Sequence, residues 1–185
     1  MRIVSGDFGG RRLSAVPGMA TRPTTDKVKE ALFNIIGPYF NGGTSLDLYG
    51  GSGGLSIEGV SRGIDHAVLV DRAYPAIKTI KSNIDVTKYP EKFTVLKMDS
   101  RKALTVLNKQ GKKFDLIYLD PPYAKQQIIK DMTRMVELEL LNDGALVVAE
   151  TNQEANLPEK IDSFEFIKHQ SYGITVLSFY RFERG

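Results

Sequence analysis

The sequence predicts an α/β fold built on a mostly parallel sheet, and three observations support this prediction. Apolar runs with the length of buried strands alternate with segments of helical periodicity from about residue 44 to residue 150. The runs are continuously apolar, which is typical of strands covered on both faces. Two last runs, 164–170 and 174–180, are separated by a tight turn at residues 171–173, which predicts an antiparallel hairpin at the edge of the sheet.

The chain opens with a predicted hairpin and helix. Residues 1–16 have the pattern of two short strands, and Pro17-Gly18 separates them from an extended loop. A helix capped by Thr25 or Asp26 follows, and Gly37-Pro38 ends it. We expect residues 1–40 to form an extension that is continuous with the core.

The core, residues 41–185, completes a single predicted domain, since 185 residues suit one core of ordinary size. Apolar residues at helical spacing mark helices between successive strands. The fifth strand is predicted to begin after a turn at Asp143-Gly144. The predicted parallel strands are residues 44–49, 66–70, 93–98, 114–119 and 145–150.

Composition excludes several classes of protein. No apolar stretch approaches the roughly 18 residues of a membrane span, and the N-terminus lacks an apolar signal core, so we expect a cytoplasmic protein. The absence of cysteine removes disulfides, thiolate metal sites and cysteine nucleophiles. The two histidines are isolated in sequence, and we expect no metal site.

The positive charge is concentrated at the N-terminus. Residues 1–33 carry six basic and three acidic side chains, which accounts for the whole net charge of +3. A basic arm on a neutral body is typical of contact with a phosphate backbone, although a solvated hairpin with incidental arginines has the same composition. We expect the arm to lie beside the catalytic face, and its predicted contacts are Arg2, Arg11, Arg12 and Arg22.

The fourth predicted strand ends in the tetrad Asp120-Pro121-Pro122-Tyr123. Neither proline can donate a backbone hydrogen bond, and each keeps the residue before it extended. The Asp120 carboxylate and the Pro121 carbonyl therefore form a rigid pair of acceptors beside an aromatic ring, at the end of a strand where open α/β sheets bind ligands. An exocyclic amine of a nucleobase suits such a site. The simpler interpretation is a turn with Tyr123 packed in the core.

A glycine-rich turn, residues 50–54, follows the first predicted strand. It lacks the lysine of a P-loop, and Ser56 stands at the third glycine of the dinucleotide fingerprint. The pattern Asp47-x-x-Gly50-x-x-Gly53 better suits a ligand with a positively charged amino-acid end.

Two further strands also end in acids. Asp71 lies 21 positions after Gly50, close to the spacing of about 20 for acids that bind ribose hydroxyls. Asp99 can accept from an adenine amino group, and Ser100 is predicted to cap the next helix. Each acid alone fits a solvated strand end or a helix cap, but their succession with the glycine turn favours a ligand site.

These motifs resemble S-adenosylmethionine-dependent amino-methyltransferases, and the N-terminal segments Met1–Gly6, Gly10–Leu13 and Arg22–Asn34 resemble the RsmD family in particular. The resemblance runs from Met1 to about Glu150 and more loosely to the end. It implies a Rossmann-like methyltransferase sheet and methylation of the exocyclic N2 of a guanine in 16S ribosomal RNA. Tyr49-Gly50 departs from the family, which more often has Phe-Ala there.

The resemblance also implies site residues and partners. Asp120, Pro121, Pro122 and Tyr123 would be catalytic. Ribosomal RNA, within a small subunit or an assembly intermediate, would be the partner of a monomeric protein with no membrane contact. S-adenosylmethionine would be bound by Asp47, Tyr49, Gly50, Gly51, Ser52, Gly53, Asp71, Asp99 and Ser100.

Three other interpretations stay open. An adenine-N6 DNA methyltransferase shares the tetrad but usually carries a target-recognition domain, for which this chain has no room. A non-catalytic RNA-binding module explains the basic arm but not the acids at the strand ends. A dinucleotide-dependent oxidoreductase explains the glycine turn, but Ser56 and the tetrad count against it.

Overall fold

A computed structural model describes residues 1–18 and 24–184. These residues form one sheet of seven strands with helices on both faces, and the strand order is β3-β2-β1-β4-β5-β7-β6. The elements are α1 (Asp26–Ile36), β1 (Thr44–Asp47), α2 (Gly54–Ser61), β2 (His66–Asp71), α3 (Tyr74–Thr87), β3 (Phe93–Lys97), α4 (Ser100–Lys109), β4 (Phe114–Leu119), α5 (Ile128–Glu137), β5 (Leu141–Asn152), β6 (Phe164–Tyr172) and β7 (Thr175–Phe182).

The sheet confirms the predicted fold class. Strands β1 to β5 pair in parallel, whereas β7 runs antiparallel to both β5 and β6. The turn between β6 and β7 consists of Gly173 and Ile174, later in the chain than predicted, and Gly173 has a φ of +62° that suits glycine.

Two strand boundaries differ from the predictions. Strand β1 ends at Asp47, two residues early, because the chain turns there into the glycine loop. Strand β5 begins at Leu141, so Asp143-Gly144 lies inside the strand rather than in a turn before it. The pairing of β5 with β4 shifts register between Phe114 and Leu116, and such an irregularity accommodates the left-handed Gly144, whose φ is +81°.

The predicted N-terminal hairpin is present without regular strands. The backbone of residues 1–13 pairs with itself through an isolated bridge between Arg2 and Arg12, and the N–H of Leu13 donates to the Met1 carbonyl at 2.9 Å. Ile3, Phe8 and Leu13 are buried in the same hydrophobic cluster as α1, α2 and α3. We call residues 1–18 the arm. Its main anchor is the body of the protein rather than its own pairing.

A buried ion triad fixes the arm to the body. Glu58 of α2 lies 2.8 Å from Arg62 Nε and 3.4 Å from Lys29 Nζ, and all three side chains are almost completely buried. The same carboxylate accepts from the N–H groups of Val4 and Ser5 at 2.8 and 3.0 Å. Burial lowers the pKa of Lys29, and the adjacent Glu58 opposes that shift.

The register of the parallel strands decides where their terminal side chains point. Asp47 pairs with Leu69 of β2 and Tyr118 of β4, and Tyr118 pairs with Val148 of β5. Paired residues of parallel strands face the same way, and so does the residue two positions further along each strand. The side chains at 71, 120 and 150 therefore share the face of Asp47, which is the face covered by α2, α3 and the arm.

None of the helices within residues 1–18 and 24–184 combines the length and the apolar character that crossing a bilayer requires.

We predict that Glu58→Gln lowers the free energy of unfolding by about 3–5 kcal/mol, because it leaves Lys29 and Arg62 buried without a counter-charge. Urea unfolding measures the change. Glu137→Gln is the matched control, since it removes an exposed partner of Arg134 and is expected to cost at most about 1 kcal/mol. Equal effects of the two substitutions would contradict a stabilising role for the triad.

Candidate active site

The glycine loop is shaped by its close approach to strand β2. The Gly50 N–H donates to the Val70 carbonyl at 2.7 Å, and a Cβ on Gly50 would lie 3.0 Å from Ile80 Cδ1. Gly51 and Gly53 have φ values of +57° and +82°, which favour glycine. A Cβ on Gly51 would meet only the Tyr49 carbonyl, at 4.0 Å. The loop is thus packed against the sheet at Gly50 and open at Gly51.

Asp71 is joined directly to this loop. Its carboxylate accepts from the Gly51 N–H at 2.9 Å and, through the other oxygen, from the Ala73 N–H at 2.9 Å. The acid at the end of β2 therefore holds the glycine loop and the entry to α3 in place. Each oxygen has accepting capacity left, so the two bonds are compatible with the predicted contact to ribose hydroxyls.

Asn83 ties the glycine loop to the arm. Its side-chain nitrogen donates to the Ser52 carbonyl at 2.8 Å and to the Ser14 carbonyl at 2.9 Å, and its oxygen accepts from the Ser14 N–H at 2.8 Å. Asn83 is fully buried, so all three bonds are shielded from water. The hydroxyl of Ser52 itself faces the Met1 sulfur at 3.8 Å.

Two predicted cofactor residues lie beside α4 and α5. The half-buried Tyr49 donates its hydroxyl proton to Asp131 at 2.6 Å, and burial raises the pKa values of both groups. The N-cap of α4 is Asp99, which accepts from the Lys102 N–H at 3.0 Å, and this bond lowers the pKa of Asp99. The prediction that Ser100 caps this helix is wrong, because Ser100 is its first residue.

Asp47 is the most deeply buried acid of the site. It is 2 % exposed, and one of its oxygens accepts from the Tyr49 N–H at 3.1 Å. Burial raises the pKa of Asp47 to about 7, and the negative charges of Asp71 and Glu150 add to that shift.

The tetrad leaves the sheet as predicted. Asp120 follows the last residue of β4 and is half-buried, Pro121 is buried, and Pro122 and Tyr123 are exposed. A short 3-10 turn then begins at Tyr123, and its ring is 38 % exposed, which excludes ordinary core packing. Among the described residues no hydrogen bond uses the Pro121 carbonyl oxygen.

Glu150 is a site residue that the sequence analysis did not identify. It lies on β5 directly after Ala149, the partner of Leu119, so it stands beside Asp120. It is 8 % exposed, and its Oε1 accepts from the Thr24 hydroxyl at 3.1 Å. The signal was present in the sequence, since Glu150 follows an apolar run as Asp71 and Asp120 do.

These carboxyls form a negative cluster on one face of the sheet. Within residues 1–18 and 24–184, none of the ion pairs includes Asp47, Asp71, Asp120 or Glu150. Clustered carboxyls attract positive charge. S-adenosylmethionine carries an ammonium group and a sulfonium centre, so the donor set and the open side of Gly51 fit this cofactor.

The predicted RNA-binding arginines have different surroundings in the structure. Arg2 is exposed and 3.5 Å from Asp26, and Arg12 is exposed with no hydrogen bond from its guanidinium in the described chain. Arg11 donates to the carbonyls of Val86 and Thr87 at 3.1 and 3.0 Å. Arg22 lies outside the described residues.

The placement of Arg11 beside the catalytic face is wrong. Helix α3 begins just after Asp71 and is 14 residues long, so its last carbonyls lie roughly 20 Å from its start. Arg11 caps that far end, where a cation offsets the unpaired carbonyls of the helix, and it stacks 5.3 Å from the Phe8 ring centroid.

Comparisons with known proteins find methyltransferases among the relatives of this chain. The model of the family described as conserved hypothetical protein 95 matches residues 1–181. A putative rRNA methyltransferase of Bacillus subtilis, YlbH, is 44% identical over 181 residues, which are 98% of this chain and 98% of that protein. Ribosomal RNA small subunit methyltransferase D of Escherichia coli K12 is 28% identical over 158 residues, 85% of this chain and 78% of that protein.

A solved structure shows the same fold. The putative methyltransferase yhhF from Escherichia coli superposes with a TM-score of 0.85 at 25% identity, over 100% of this chain and 99% of that one. The predicted methyltransferase sheet is thereby confirmed.

We predict that Asp47→Asn stabilises the protein relative to the wild type as pH rises from 4 to 8. Because the folded pKa of Asp47 is about 7, above the unfolded value near 3.8, the wild type loses stability in that interval as Asp47 ionises, by up to about 4 kcal/mol. Asparagine keeps the acceptor for the Tyr49 N–H. Urea unfolding of both proteins at pH 5 and pH 8 measures the difference, and a difference independent of pH would contradict the raised pKa.

Proposed function

The chain belongs to the RsmD family, the family described as conserved hypothetical protein 95, and on that premise we propose that it methylates the exocyclic N2 of a guanine in 16S ribosomal RNA, with S-adenosylmethionine as methyl donor. The observation that carries this proposal is the pair of acceptors at the end of β4, Asp120 and Pro121, beside an exposed Tyr123 and a cluster of carboxyls that form no ion pair within residues 1–18 and 24–184.

Each predicted cofactor residue binds or borders a different part of the methyl donor. Asp47 and the open backbone at Gly51 bind the positively charged amino-acid end, and the neighbouring Gly50, Ser52 and Gly53 set the shape of that turn. Asp71 binds the ribose hydroxyls. Tyr49, Asp99 and Ser100 lie on the adenine side. When bound, S-adenosylmethionine supplies an electrophilic methyl group on its sulfonium.

The tetrad acts on the target amine. The N2 lone pair of guanine is delocalised into the ring, so the amine is a weak nucleophile. Its two N–H groups donate to the Asp120 carboxylate and the Pro121 carbonyl, and these acceptors stabilise the positive charge that develops on nitrogen during transfer. Tyr123 stacks on the base and fixes its angle, while Pro122 keeps the tetrad rigid. The nucleotide must leave its stack to enter, which favours a single-stranded or loop guanine.

The partner and state of the protein are part of the same proposal. The substrate is 16S ribosomal RNA within a small subunit or an assembly intermediate, and the enzyme works as a cytoplasmic monomer. Arg2 and Arg12 of the arm, together with Arg22, contact phosphates. Residues 1–40 and 41–185 act as one domain, since Ile3 and Phe8 of the arm share a hydrophobic cluster with α2 and α3.

We predict that the protein transfers labelled methyl groups to 16S ribosomal RNA from an unmethylated host, and that nucleoside analysis finds N2-methylguanosine. Asp120→Ala is expected to reduce the rate about a hundredfold to a thousandfold, because one acceptor of the transition state is lost. Calorimetry should show that this variant still binds S-adenosylmethionine.

Unchanged turnover of Asp120→Ala would overturn the mechanism. Methyladenine in duplex DNA would assign the protein to the DNA methyltransferases instead, and tight NADH binding would favour an oxidoreductase.

We predict that Arg12→Gln weakens RNA binding and flattens the log-log dependence of affinity on salt by about 0.7–0.9, the value of one phosphate contact. Lys109→Gln, which removes an equal charge at the exposed end of α4, is the matched control and should leave the slope unchanged. Arg11→Gln should instead lower the stability of the protein, because its guanidinium bonds to α3. A slope insensitive to Arg12→Gln would exclude Arg12 from the RNA contact.

A further inference from the structure

Glu150 and Asp120 form a pair of carboxyls at the ends of adjacent strands. Leu119 of β4 pairs with Ala149 of β5, so the next residue on each strand stands beside the other and on the same face. Glu150 is 8 % exposed and Asp120 is half-buried, so two negative charges side by side would repel each other strongly. A proton held between the two carboxyls removes that repulsion.

In the described part of the chain, the groups that act on the pair are acids and a tyrosine. Asp47 of β1 and Asp71 of β2 share the face of the sheet with the pair, and Tyr123 belongs to the same tetrad as Asp120. Among the described residues no basic side chain forms an ion pair with these acids. Burial raises the pKa of Asp120 well above its usual range, and the charge of Glu150 and its hydrogen bond raise it further.

Thr24 fixes the orientation of Glu150. Its hydroxyl donates to Oε1 at 3.1 Å, and Glu150 is 8 % exposed. Thr24 immediately precedes Thr25, the N-cap of α1, whose side chain accepts from the Val28 N–H, so the donor stands on a defined helix start. With one oxygen directed to Thr24, the carboxyl of Glu150 keeps its other oxygen for Asp120.

We infer that Glu150 is a positioning residue that acts through Asp120: in the free protein the two carboxyls share one proton, and they release it when the target amine and a positively charged methyl donor engage the site. This inference deepens the proposed function and rests on it. A shared proton occupies one oxygen of Asp120 and removes much of the negative charge from the other, so the ionised pair stabilises the developing charge on the amine better than the protonated pair does.

The proton balance closes over one turnover. On binding, an O–H bond of the pair breaks and the proton passes to water, which leaves two carboxylates facing the amine. Transfer forms the N–C bond and breaks the C–S bond, and the electron pair of the latter stays on sulfur. The methylated nitrogen then carries a positive charge, and it loses its proton to the ionised pair, which restores the shared O–H bond. One proton per methyl group reaches the solvent.

The test follows the carboxyl carbons of Asp120 and Glu150 by NMR in the protein without ligands, labelled with carbon-13 at aspartate and glutamate. In the wild type each resonance should show two inflections with pH, because coupled groups titrate as a pair. In Glu150→Gln the midpoint of Asp120 should fall by about one pH unit or more, since the like charge is gone while the amide keeps the shape. Glu154→Gln, which removes an exposed charge four residues along the chain, should leave it unchanged.

Kinetics give a second measure. Asp120 stabilises the developing positive charge only when it is ionised, so kcat/KM falls as pH drops through its pKa. A lower pKa of Asp120 in Glu150→Gln moves this fall in kcat/KM to lower pH. If the pKa is lower by about one unit, the variant retains roughly tenfold more of its plateau activity at acid pH than the wild type does. A merely structural Glu150 would lower the plateau and leave the pH of this fall unchanged.

The outcomes separate the inference from the proposed function. Single, independent inflections for both carboxyls in the wild type, or an Asp120 midpoint unaffected by Glu150→Gln, would overturn the shared proton even if ribosomal RNA is methylated. Coupled titration in a protein that methylates no RNA would keep the carboxyl pair and overturn both the proposed function and the role that the pair is given in it. The wild-type titration decides the first point even if Glu150→Gln fails to fold.

Discussion

The register of four parallel strands is the constraint on which the site depends. Pairing of Asp47 with Leu69 and Tyr118, and of Tyr118 with Val148, sends the acids at 47, 71, 120 and 150 to one face. A slip of one residue in any pair would turn one of these side chains to the other face of the sheet. The resulting crowding of negative charge opposes folding and favours a cationic ligand, so the site stores electrostatic repulsion that binding relieves.

The arm and the glycine loop depend on each other through two buried polar side chains. Glu58 holds the backbone of Val4 and Ser5, while Asn83 bonds to both Ser14 and Ser52. A displaced arm would leave these buried groups without partners, at a cost of about 1–3 kcal/mol for each neutral group and more for the carboxylate. The basic segment is thus part of the same packed unit as the glycine loop.

The sequence predicted most of the fold and part of the site. Continuous apolar runs that end in acids located β1 to β5 and the residues Asp47, Asp71 and Asp120, because strand length and terminal chemistry are local properties. Glu150 was missed for the opposite reason: its importance comes from the neighbour that register places beside it. Arg11 shows the same limit. The sequence does not distinguish it from the other arginines of the arm, whereas the structure shows that it bonds to carbonyls at the C-terminal end of α3.

The buried anchors of the arm also constrain the order in which the protein can be completed during synthesis. Residues 1–18 are translated before their partners, because Glu58, Ser61, Asn83 and the Thr87 carbonyl follow the arm residues that they bind by 53 to 76 positions. The arm therefore cannot dock on the body of the protein until α3 has left the ribosome. During that interval Arg11 is as exposed as the other arginines of the arm, and only docking on α3 makes it a structural residue.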